Sequence, residues 1–248
     1  MTNPFAEGGA DYARSRPNYP AELVTALAAA CAAQERALDV GCGNGQLSVA
    51  LADAFAEVIG TDPSESQIAS AKRHPRVRYR IEAAESIGEP DQSLDLVVAA
   101  QAAHWFDLDR FYSEARRVLK PGGVLALVSY GVPELEGDVG EAFQTFYWGP
   151  FHQYWPNERR HVEDGYRSLE FPCAEFTLPP LAIERHWTLA ELVAYIETWS
   201  AARAARKSDG VTMLEDGLAD LATAWGDSAQ VRLIRWPISL RLGSFNRT

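Results

Sequence analysis

The chain has 248 residues, 47% of them hydrophobic and 23% charged, the composition of an ordinary globular protein long enough for one large α/β domain. No stretch approaches the roughly 18 unbroken apolar residues that a membrane span needs, and residues 1–19 carry Glu7, Asp11, Arg14 and Arg16 where a secretory signal would be apolar, so the expected location is the cytoplasm. A net charge of −11 argues against a nucleic-acid partner, and Cys31, Cys42 and Cys173 are spaced for neither a disulfide framework nor a metal cluster.

In chain order, short apolar runs alternate with helical ones. Residues 37–40, 57–61, 77–81, 94–99 and 124–129 read as buried parallel strands. Residues 46–54, 64–73 and 108–119 read as the helices between them, the last with Phe111, Ala115, Val118 and Leu119 on one face. Lys120-Pro121-Gly122-Gly123 reads as a helix stop directly before a strand. Such alternation predicts a doubly wound, mostly parallel α/β sheet within one domain spanning 1–248. Between 131 and 180 the pattern breaks down. Pro133, Pro150, Pro156, Pro172, Pro179 and Pro180 fall here, with an aromatic cluster running from Phe143 to Trp155, and the segment reads as an insertion capping the site. Helices are expected again over 188–203, capped by Thr188, and over 213–225, and a last strand or strand pair over 230–242.

The sharpest local signal is LDVGCGNGQ at 38–46, where a strand runs into Gly41, Gly43 and Gly45 and then into a helix. Glycines at such a turn let the backbone approach a ligand with no Cβ in the way. A dinucleotide fingerprint wants its third glycine at 46, where Gln46 stands, which weakens an NAD(P)-linked oxidoreductase reading. About 20 residues on, Asp62 ends the next strand, where a carboxylate accepts ribose hydroxyls; the competing reading is a helix cap, since Pro63 and Ser64 follow.

With LDVGCGNGQ, GTDPS at 60–64, the Ala84-Glu85 pair, LDLVVAAQAAHWFD at 94–107 and EARRVLKPGG at 114–123 in this order, the chain resembles the class I methyltransferases. The resemblance is to their small-molecule branch, which includes the ubiquinone biosynthesis and trans-aconitate methyltransferase-like proteins. The run of Tyr12, Arg16, Pro17, Tyr19 and Pro20 resembles the family's entrance segment, so about half the chain is covered. The resemblance implies a seven-stranded Rossmann-like sheet and S-adenosylmethionine as cofactor. It implies that Gly41, Gly43 and Gly45 cradle the cofactor's amino-acid half, that Asp39 receives its ammonium, that Asp62 takes the ribose and that Ala84 and Glu85 meet the adenine edge. Gln101, just past the fourth strand, is expected to hydrogen-bond the methionine moiety through its backbone.

Methyl transfer from a sulfonium rests mainly on positioning and desolvation, so few catalytic residues are needed. His104 is the candidate base, because it follows the fourth strand at the cofactor face; a structural histidine beside an aromatic is the alternative. Tyr12 and Tyr19 either close over the cofactor or pack the N-terminal segment. The aromatics of 143–155 either line a pocket or form core, and Arg159-Arg160-His161 either meets a carboxylate-bearing substrate or forms a solvated face. The expected partner is a small-molecule methyl acceptor, with no nucleic acid, membrane or metal. A protein that binds the cofactor without catalysis is the second rival reading.

Overall fold

A computed structural model describes residues 18–245. The chain opens with helix α1 (Ala21–Ala30), then alternates β1 (Arg36–Val40), α2 (Gln46–Leu51), β2 (Glu57–Asp62), α3 (Glu65–Ala69), β3 (Val77–Ile81) and β4 (Leu94–Ala100). A 3-10 turn, Ala103–Trp105, leads into α4 (Leu108–Val118) and β5 (Leu119–Tyr130). Beyond lie α5 (Asp138–Trp148), a 3-10 turn at Pro150–Tyr154, α6 (Arg159–Glu163), β6 (Ala174–Glu175), β7 (Leu181–Trp187), α7 (Leu189–Glu197), α8 (Ser200–Arg206), α9 (Val211–Trp225) and β8 (Arg232–Ser244).

All these strands form one sheet in the order β3-β2-β1-β4-β5-β8-β6, with β7 also on β8. The pairs β3-β2, β2-β1, β1-β4 and β4-β5 are parallel, and β8 runs antiparallel to β5, β6 and β7. The doubly wound class is therefore present; with the two-residue β6 set aside, seven strands remain. Both faces of the parallel part are buried, and successive residues divide between them. Leu38, Val97, Leu125 and Leu127 join the core under α4, with Phe111, Ala115 and Val118. Ala37, Leu96, Val98, Val124 and Ala126 join the core under α1 and α2, with Leu23, Leu27, Leu47 and Leu51. Strict period-two alternation with apolar side chains on both sides is what a sandwiched parallel strand requires.

Four local features differ from the sequence reading, the first being that α3 ends at Ala69 rather than Arg73. Lys120-Pro121-Gly122-Gly123 lies inside β5 as an irregularity, where the register with β4 steps from Leu94↔Leu119 to Leu96↔Val124. Gly122, at φ +81°, makes that bulge without side-chain strain. The helix expected over 188–203 is two helices, α7 and α8, separated at Thr198–Trp199, where Trp199 turns into the core. Strand β7 was not foreseen, because its exposed Glu184 and His186 alternate against a partner strand 50 residues away rather than forming a long apolar run.

Residues 131–180 do not pack as a free-standing unit. Phe143, Phe146, Tyr147 and Phe151 share a third core with Leu192, Tyr195, Ile196, Trp199, Leu221 and Trp225 from α7 to α9, over Tyr130 and Trp236 of the sheet. No helix among the described residues is long and apolar enough to cross a membrane.

Candidate functional site

The strand order reverses at β1, whose neighbours are β2 and β4. In open α/β sheets the crevice beyond the carboxyl ends of strands at such a point is the ligand site. Here it is bounded by the glycine turn after β1, Asp62 at the end of β2, and Gln101 to Phe106 after β4.

Gly41, Gly43 and Gly45 all have positive φ, at +69°, +54° and +78°. At Gly41 a Cβ would stand 2.5 Å from Ala102 Cβ and 3.3 Å from the Phe106 ring, so the absence of a side chain lets residues 102–106 close directly on the turn. Gly43 faces open space instead, with nothing nearer than Gln67 Oε1 at 3.8 Å from its Cβ direction, which leaves room for a ligand.

Two carboxylates flank the turn. Asp39 is 1% exposed, and its Oδ2 accepts the Ser48 hydroxyl at 2.6 Å. Burial, aided by the nearby Asp62 charge, pushes its pKa up to about 7, and among the described residues no cation is paired with it. Asp62 accepts the Gly43 N–H at 2.9 Å on Oδ2 and the Ser64 N–H at 2.8 Å on Oδ1, which ties the turn to the end of β2. A carboxylate offers about four lone-pair sites, so two remain for a ligand. Burial also raises the Asp62 pKa, against the two amides that lower it. The helix cap is Ser64, which accepts from the Gln67 N–H, rather than Asp62.

Ala84 is buried, and Glu85 Oε1 accepts the Asp107 N–H at 2.9 Å, joining the loop after β3 to the start of α4. Glu114 and Arg117 of α4 clamp the same loop: Ile87 N–H donates to Glu114 Oε2 at 2.8 Å, and Arg117 donates to Ile87 O at 2.6 Å. The EARR segment is thus a brace for this loop, a role that no feature of its own spacing announces. Gln101 has φ +56°, rare for a residue with a side chain, and its Nε2 donates to Tyr130 O at 2.9 Å. The backbone is therefore held at an unusual angle where β4 meets the crevice.

His104 sits on the 3-10 turn with its Nδ1 2.8 Å from the Tyr166 hydroxyl. Burial first, then the charges of Arg159 and His161, lower its pKa to about 3, so the ring is neutral at any working pH. Tyr166 is fully buried at φ +63° and was not foreseen; a lone tyrosine 62 residues away in a prolyl segment gives no local sign. Arg159 comes into the site with Tyr147, Trp155 and Glu163, whereas His161 bonds Ser168 Oγ at 2.7 Å. Tyr19 packs edge-on to Tyr130 with ring centroids 6.1 Å apart, and Tyr12 lies outside the described residues. Two open clefts of about 560 Å³ are present, one lined by Arg167, Glu175 and Arg241, the other by Arg73, His74, Pro75 and Tyr79, whose ring packs against Gly45.

Gly45 is packed under the Tyr79 ring, so the donor set suits a ligand that brings a cation to Asp39 and hydroxyls to Asp62 past the open side of Gly43. A family model described as a methyltransferase domain matches residues 38–127. A Dictyostelium discoideum chain named as a methyltransferase is 32% identical over 246 residues, covering 96% of this chain and 93% of that one. A Saccharomyces cerevisiae chain named as an S-adenosylmethionine-dependent methyltransferase is 31% identical over 147 residues, 56% of this chain and 50% of that one. A solved structure from Anaeromyxobacter dehalogenans, titled as a type II methyltransferase, is similar with a TM-score of 0.87 at 45% identity, covering 92% of this chain and 97% of that one.

Proposed function

We propose, from the premise that the chain belongs to the class I methyltransferases, that it transfers the methyl group of S-adenosylmethionine to a small-molecule acceptor in the cytoplasm. The observation that carries the cofactor reading is Asp39, a buried acid with no cation paired to it among the described residues, which fits a ligand ammonium. In this reading Gly41, Gly43 and Gly45 floor the amino-acid half, Asp62 accepts the ribose hydroxyls, and Ala84 and Glu85 border the adenine. Gln101 offers backbone groups to the methionine moiety, and Tyr12 and Tyr19 close the entrance.

When bound, the cofactor supplies a methyl group already activated by a cationic sulfur. What is left for the chain is to bind, orient and exclude water. His104 stands beside the acceptor, and residues 131–180 cap it. The net charge of −11 supports a small acceptor over a nucleic acid.

Incubation with methyl-labelled S-adenosylmethionine and a panel of small carboxylates, phenols and amines tests the reading. Label is expected in the products of one acceptor class; a bound cofactor with label in none would favour a non-catalytic binder.

A further inference from the structure

Where α6 packs on the Ala103–Trp105 turn, three side chains carry hydrogen-bond donors. Arg159 is held from behind: its Nε donates to Tyr147 Oη at 2.9 Å and lies 3.6 Å from Glu163 Oε1. Its guanidinium rests 4.5 Å over the Trp155 ring, with the side chain only 15% exposed. Glu163 in turn accepts the Tyr147 hydroxyl at 2.6 Å and meets His152 Nε2 at 3.1 Å. These contacts use the Nε edge of the fork, and among the described residues neither Nη atom has a hydrogen-bond partner. A guanidinium fixed at Nε and stacked on an indole is preorganised to receive two oxygens on its outer edge.

His104 adds a second donor. Tyr166 is fully buried, and among the described residues its hydroxyl has no hydrogen-bond partner other than His104 Nδ1 at 2.8 Å. A buried phenol with that one partner keeps its hydrogen satisfied by donating it to Nδ1. Nδ1 is then an acceptor, and a neutral ring must carry its hydrogen on Nε2. Trp155 Nε1, in the ring beneath Arg159, is a third donor, buried and, among the described residues, without a hydrogen-bond partner. The elements are close: α6, which bears Arg159, packs on the Ala103–Trp105 turn, and that turn's neighbours Ala102 and Phe106 abut Gly41.

Resting on the methyltransferase reading above, we infer that the acceptor is a carboxylate-bearing small molecule. Its anion is gripped by the free Nη edge of Arg159, and His104 Nε2 donates a hydrogen bond to an oxygen of the same acceptor. His104 then orients and polarises the acceptor and takes no proton from it. In a chain of net charge −11, this donor cluster is a local exception that selects for the anion rather than attracting it from afar.

The test is calorimetric titration of the protein saturated with S-adenosylhomocysteine, using benzoate, cinnamate, fumarate and itaconate, each paired with its amide. At least one carboxylate is expected to bind tenfold or more tightly than its amide. Arg159→Gln is expected to erase that preference without changing S-adenosylhomocysteine affinity. No carboxylate outbinding its amide, or a preference that survives Arg159→Gln, would overturn the proposal. Loss of S-adenosylhomocysteine binding by the unaltered protein would instead strike the cofactor reading, and this inference with it. For His104, the Gln variant keeps a donor near the Nε2 position and cannot take up a proton, so turnover of the best carboxylate should stay within tenfold while His104→Leu falls further. Equal collapse of both variants would overturn the donor role.

Discussion

Residues 36–128 and residues 138–225 meet at the carboxyl edge of the sheet and hold their chemistry in place by different means. The first region presents backbone: three left-handed glycines, amides that seat Asp62, and strand ends set in register by the parallel ladder. The second presents side chains, gathered from four helices and one 3-10 turn around Trp199, which meets Phe143, Tyr147, Trp155 and Tyr195 at ring-centroid distances of 5.2 to 6.1 Å. Backbone sites depend on short spacings, whereas side-chain sites depend on the packing of distant segments. The glycine-turn region is therefore stiff by local geometry and the helical layer by its core.

Substitution can separate these two kinds of order. The largest effect is expected from Trp199→Ala, which empties the centre of the helical layer; chemical denaturation should report a loss of about 3–5 kcal/mol. A mild loss there would mean that the layer is held by its other rings. Gly41→Ala should cost about 2–4 kcal/mol, because the new methyl meets Ala102 in a backbone conformation that disfavours any side chain. It should also weaken S-adenosylhomocysteine binding at least tenfold, since residues 102–106 must move.

Asp62→Ala should weaken S-adenosylhomocysteine binding by about 1–3 kcal/mol with the fold retained, as read by calorimetry and circular dichroism. Unchanged affinity would reduce Asp62 to a tie between the turn and β2.

The smallest effect is a pH dependence set by Asp39. With its pKa raised to about 7, the unliganded carboxyl must lose a proton before it can pair with an ammonium. S-adenosylhomocysteine affinity should be level above about pH 8 and fall toward tenfold per unit below pH 7, about 1.4 kcal/mol each, with proton release on binding. For stability the sign is opposite. The native carboxyl keeps its proton to higher pH than the unfolded one, so this contribution is present at low pH and is lost as pH rises from about 4 through 7. Asp39→Asn should flatten both profiles; an unaltered profile would assign the titration to another group.

The same contrast explains what was legible in the sequence. The strands from Ala37 to Ser129, the glycine turn and the placing of Asp39, Asp62 and Gln101 at strand ends could be read because each depends on neighbours within a few residues. Tyr166 had no local sign, and Trp155 and the Glu114–Arg117 segment were visible only as an aromatic cluster and a motif, because their contacts lie 27 to 62 residues away in the chain or within a core with no period of its own. Arg159 was visible as part of a charge run, but its role depends on Tyr147 and Trp155, which only folding brings beneath it. The split at Trp199 escaped for a related reason. The 188–203 pattern is helical throughout, and the demand of the aromatic core for that indole overrides it.

The most direct test of the account is calorimetric titration of the purified protein with S-adenosylhomocysteine and, separately, with NADH. Saturable one-site binding of S-adenosylhomocysteine and none of NADH is the predicted result; binding of NADH with no response to S-adenosylhomocysteine would contradict the assignment of the glycine turn, Asp39 and Asp62 to this cofactor.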